Sequence, residues 1–110
     1  MLEDLFPKTI FTEEYVKRYG LNKAISKQLE VITGELFEAR DAASRENYEH
    51  TLEELTDSIQ GIFTLLYMIP EYSETKLRKY IIKVQEKNYK RGYITNTGRN
   101  DSTDDAGNII

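Results

Sequence analysis

Glu35 and Glu38, then Glu54 and Asp57, form two carboxylate pairs at i, i+3 spacing, with fifteen residues between Glu38 and Glu54. Side chains three apart on a helix project from nearly the same face. Two such helices packed antiparallel would aim four oxygen ligands at one point, and hard divalent cations such as Mg²⁺ prefer that chemistry.

Spacing alone is a weak signal in this chain. Glu46/Glu49, Glu71/Glu74 and Asp101/Asp104 repeat it, and with 19 Asp and Glu in 110 residues such pairs arise by chance. What separates them is the helical face on which each pair falls.

The elements that must position these acids are all helical. From about Thr12 to Arg91 helix formers dominate, prolines occur only at Pro7 and Pro70, and no strand-like alternation appears. Thr12 is expected to cap a short first helix that stops at Gly20. A second helix starts near Asn22 and carries the stripe Ile25, Leu29, Ile32, Leu36, Ala39 and Ala43. Ser44 or Asn47 caps a third, with core positions Leu52, Leu55, Ile59, Ile62, Phe63 and Leu66, stopped by Pro70. Ser73 caps a fourth, with Leu77, Ile81 and Val84 as its stripe.

On this reading Glu35 and Glu38 lie on a flank of the second helix with Gln28, Val31 and Ala42, beside the apolar stripe. Glu54 and Asp57 lie opposite the main stripe of the third helix, on the side that later carries Gly61, Thr64, Leu65 and Met68. A helix apolar on two sides is expected between its own bundle and a second subunit, so a homo-dimer or homo-tetramer is predicted. Carboxylates in such a sheltered place must be paired, protonated or bound to metal.

The fourth helix supplies the opposite charge. Its stripe turns polar at Asn88 and Arg91, beside a basic line of Lys76, Lys79, Lys83, Lys87 and Lys90. Ammonium groups there suit polyphosphate, and a guanidinium at Arg91 grips two oxygens at once. Cations near a helix C-terminus also answer its dipole, which suffices for Lys76, Lys79 and Lys90.

Composition removes whole classes of function. There is no cysteine and a single histidine, His50, so thiolate sites, disulfides and multi-histidine zinc sites are excluded. His50 alone reads as a surface or cap residue. A net charge of −4 argues against binding nucleic acid polymers. The opening MLEDLFPKTIF lacks the pattern of a secretory signal, and no apolar run is long enough to span a bilayer. A cytoplasmic location without membrane association is expected. One domain is expected over 1–93, followed by a polar tail over 94–110 that is flexible or docks on a partner subunit.

The segments GELFEARDA, TLEELTDSIQ and KNYKRG resemble the MazG-like branch of the all-alpha nucleoside triphosphate pyrophosphatases. The resemblance implies a four-helix-bundle-like subunit in which Glu35, Glu38, Glu54 and Asp57 bind Mg²⁺, or Mn²⁺ in its place. Lys87, Asn88 and Arg91 match the family's phosphate-contacting cluster, and Lys83 joins them on the same line. The implied reaction is hydrolysis of a nucleoside triphosphate, with deoxynucleotides the expected substrates, between the alpha and beta phosphates to monophosphate and pyrophosphate. Glu38 is favoured as the carboxylate that orients or deprotonates the water, and Gln28 as a base contact; Phe11, Tyr15 and Tyr89 are weaker aromatic candidates. Two alternatives stay open: a non-enzymatic helical interaction module, and a nucleotide-binding family member without turnover.

Overall fold

The computed structural model describes residues 2–94, and every regular element among them is helical. In chain order these are α1 (Leu2–Leu5), α2 (Ile10–Tyr19), α3 (Leu21–Ser44), α4 (Tyr48–Met68) and α5 (Glu74–Lys90). None of the described helices is long and apolar enough to cross a membrane. Apart from its first residue, the tail read from the sequence lies outside the described residues.

Local chemistry sets most of the boundaries. Asn47 caps α4, its side-chain oxygen accepting from the His50 N–H at 3.2 Å, and Ser73 caps α5 by accepting from the Lys76 N–H at 3.1 Å. Gly20 links α2 to α3 at φ 81, a left-handed backbone that only glycine adopts without strain. Glu46 takes φ 59 in the short turn between α3 and α4.

The α2 start differs from expectation. Thr9, not Thr12, precedes the helix, and its hydroxyl makes no cap bond; it meets the Thr64 hydroxyl at 3.2 Å instead. Thr12 is buried. A tertiary hydrogen bond has taken the side chain that local capping would have used.

The chain divides into two compact units between Tyr72 and Ser73, a division that falls inside the region read as one domain. In the first unit α3 and α4 form an antiparallel hairpin, and α2 packs against both. The fully buried apolar residues are Ala24, Ile32, Ala39, Ala42, Phe63 and Met68, joined by Thr12, Gln28, Glu54, Ser58 and Thr64. Small and polar residues thus fill the α3–α4 seam and let the helices approach closely. The segment before α2 is strapped along the second half of α4. Phe6 stacks on Phe63 with centroids 5.0 Å apart, Gln60 donates to the Pro7 carbonyl at 3.0 Å, and the Tyr67 hydroxyl donates to the Phe6 carbonyl at 2.6 Å.

This packing inverts one expectation. The face of α4 expected to form the intramolecular core, with Leu52, Leu55, Ile59 and Ile62, is 42–60 % exposed. The face carrying Glu54 and Gly61 is the one buried against α3. On α3, Leu29 and Leu36 are likewise exposed while Ile32 and Ala39 are buried. Periodicity shows that a face is apolar but not what covers it.

The second unit contains α5, none of whose residues is fully buried. Leu77 and Ile81 are half-buried, whereas Val84 is exposed. Glu74 and Arg78 form an i, i+4 ion pair at 3.4 Å that steadies its first turn.

Candidate metal centre

The hairpin places the two acidic pairs level with one another. α3 contributes Glu35, half-buried, and Glu38, exposed; α4 contributes Glu54, buried, and Asp57, exposed. Ser58, one turn along from Glu54, donates its hydroxyl to the Glu54 carbonyl at 2.9 Å and leaves the carboxylate alone.

Glu35 and Glu54 feel the charges of the other two acids. The pKa of Glu54 is pushed up to about 7, first by a hydrogen bond shared with Glu38, then by burial and by repulsion from Glu38. His50 opposes that rise, and Asp57 adds to it. Glu35 is also raised, first by burial and then by the charges of Asp57 and Glu38. One oxygen of Glu35 and one of Glu54 are buried with no hydrogen-bond partner. Among the described residues, no lysine or arginine pairs with any of the four.

The carboxylates are gathered but not yet converged. Among the described residues, no three acidic or histidine side chains point together closely enough to ligate one ion as they stand. The raised Glu54 carboxyl, hydrogen-bonded to Glu38, relieves part of the repulsion among the acids. The chemistry of the set nonetheless suits a hard divalent cation: four carboxylates from two adjoining helices, two with orphaned buried oxygens.

The raised carboxyls fix the sign of a pH effect in the metal-free protein. Glu54 moves from 4.5 to about 7 on folding, so the folded state holds a proton that the unfolded chain releases. Its contribution is fully present below pH 4.5 and disappears as pH rises through about 7. Glu35 acts in the same direction. Urea midpoints in EDTA are therefore expected to be lower at about pH 8 than at about pH 5, with a shallower slope in Glu54→Gln. A metal-free midpoint that climbs over this range would contradict the crowded-carboxylate geometry.

Gln28, expected to contact a base, is buried, and its amide nitrogen donates to the Gly61 carbonyl at 3.0 Å. It ties α3 to α4 beside Glu35. Lys83, Lys87, Asn88 and Arg91 belong to the second unit. Along α5, Lys83 and Lys87 are exposed, Asn88 is half-buried, and Arg91 is the exposed C-cap. On α2, Phe11, Tyr15 and Tyr19 form a ladder of rings 5.5 and 6.1 Å apart, while Tyr89 is a half-buried residue of α5.

Two participants escaped the sequence reading. His50 is exposed and sits in the first turn of α4, as a surface or cap residue would, yet its charge acts on Glu54. Its place four residues before Glu54 was the available signal. Gly61 was visible only as a residue on the same face as the acids, and its contacts with α3 follow from the tertiary approach. Comparison of the chain with family models, with curated proteins and with solved structures gives no match.

Proposed function

We propose that this chain is a divalent-metal-dependent hydrolase that cleaves nucleoside triphosphates, deoxynucleotides foremost, between the alpha and beta phosphates to monophosphate and pyrophosphate. The observation that carries this reading is the cluster of four carboxylates from α3 and α4, in which Glu38 and Asp57 raise the pKa of Glu35 and Glu54 and, among the described residues, no lysine or arginine is paired to any of them. The MazG-like motifs in α3 and α4 support it, because their acidic residues are the ones the hairpin gathers.

Mg²⁺, or Mn²⁺ in its place, held by Glu35, Glu38, Glu54 and Asp57 would neutralise phosphate charge and supply an activated water. Glu38 is assigned the proton-handling role. It is exposed, and it is hydrogen-bonded to Glu54, whose pKa of about 7 suits proton exchange at neutral pH. Of the residues that would hold the ion, Glu35 and Glu54 are the more buried and Asp57 is exposed on α4. The phosphate-gripping role of Lys83, Lys87, Asn88 and Arg91 rests on their match to the family motif and on their cationic and amide chemistry. The deciding experiment is pyrophosphate release from a panel of nucleoside triphosphates with Mg²⁺. No turnover of any of them by well-folded wild type would sink the enzymatic claim.

A homo-oligomer accompanies this reading. Leu29 and Leu36 of α3 and Leu52, Leu55, Ile59 and Ile62 of α4 are exposed on the same side of the hairpin, and a second copy of that face is the proposed cover. Sedimentation is expected to give a mass at least twice the 12.9 kDa of one chain, falling to that value in Leu55→Glu, Ile59→Glu. A wild-type monomer at micromolar concentration would remove the oligomer from the proposal.

A further inference from the structure

Gly61 stands in the interior of a 21-residue helix, where glycine costs about 1 kcal/mol relative to alanine. Its φ is ordinary, so conformational freedom does not account for it. Space does. A Cβ built on Gly61 would lie 3.0 Å from Cγ1 of Ile32, 3.1 Å from Oε1 of Glu35 and 3.4 Å from Nε2 of Gln28.

These neighbours differ in how easily they yield. Ile32 is buried in the helix seam, and Gln28 is buried and bonded to the Gly61 carbonyl at 3.0 Å. The Glu35 oxygen is the far end of a flexible side chain, and it is also the orphaned, buried oxygen of that carboxylate. A methyl group at position 61 therefore displaces Glu35 first.

We propose that Gly61 is a positioning residue: the missing side chain, with Gln28 bonded to its carbonyl, sets where the inner oxygen of Glu35 lies between α3 and α4. The residue acts through Glu35 and touches no substrate. Its importance for metal binding rests on the proposed function above, whereas the placement of Glu35 does not.

The test uses Gly61→Ala in the full chain, with helicity as a control. In metal-free protein at fixed pH, the carboxyl carbon resonance of Glu35 is expected to move toward those of solvent-exposed glutamates. Calorimetric titration is expected to show Mg²⁺ and Mn²⁺ binding weakened about tenfold to a hundredfold, as for loss of an outer-shell support. In a Glu35→Gln background the same substitution should weaken binding no further. An unmoved Glu35 resonance, or an equal loss in the Glu35→Gln background, overturns the proposal, as does loss of the fold, which would place the crowding on Ile32. If wild type binds neither ion, the proposed function fails, and the Glu35 resonance still decides what Gly61 does.

Discussion

Millimolar Mg²⁺ is expected to raise the melting temperature of the wild-type chain by about 10 °C or more, Asp57→Asn to abolish the rise and Glu35→Gln to reduce it. The size follows from linkage: a ligand at 100 times its Kd adds about 2.7 kcal/mol to the folded state. In a domain of this size each kcal/mol moves the midpoint by roughly 4–8 °C. The crowded acids give the test a second edge. Each substitution removes a negative charge from a cluster that has no lysine or arginine partner among the described residues, so the variants in EDTA should melt no lower than wild type. Structural damage would lower the metal-free midpoint as well. An interaction module indifferent to metal would show no shift in any variant, and that outcome would remove the metal centre.

The second large effect is expected at Glu38. Glu38→Gln keeps the shape of the side chain and removes its ability to take a proton, so pyrophosphate release should fall by about 10²–10⁴, the usual range for a positioned general base. Helicity should be unchanged, since Glu38 is exposed and glutamine can keep a hydrogen bond to Glu54. The pH–rate profile separates this role from simple ligation. Wild type should lose activity toward low pH, as Glu54, raised by its hydrogen bond with Glu38 and by burial, takes up a proton. Near-normal turnover in Glu38→Gln would transfer the role to another carboxylate, with Asp57, the other exposed member, next in line.

Much of the helical frame was legible before the structure. Asn47 and Ser73 are cap residues with free side chains, Pro70 forbids continuation, and Gly20 provides the one backbone a turn needed; each acts through neighbours a few residues away. Thr9 failed as a signal because its hydroxyl bonds to Thr64, 55 positions along the chain. The four residues of α1 are too few to show a period. The acidic pairs were legible as a spacing, and their gathering followed from two helices with a short link.

The orientation of α4 was not legible, for a physical reason. The chain offers an aliphatic stripe, Leu52, Leu55, Ile59 and Ile62, and a small-polar stripe, Glu54, Ser58 and Gly61. Area alone favours burying the first. The second is buried instead, because Gly61 and the alanines of α3 allow close contact and Gln28 has a carbonyl to bond. The aliphatic stripe is left outside for a second copy in the proposed assembly.

Residues 45–47, the link between α3 and α4, also act as a tether. The acidic pairs lie within the three or four helical turns nearest that link, and the far end of α4 is held by Phe6, Pro7 and Thr9. Within the folded hairpin, repulsion among the carboxylates therefore acts first on side-chain rotamers and not on the spacing of the helices. Chain connectivity holds the four groups at an effective concentration that separate helices would not reach. A cation arriving there would have only rotamers to order, with no helices to recruit.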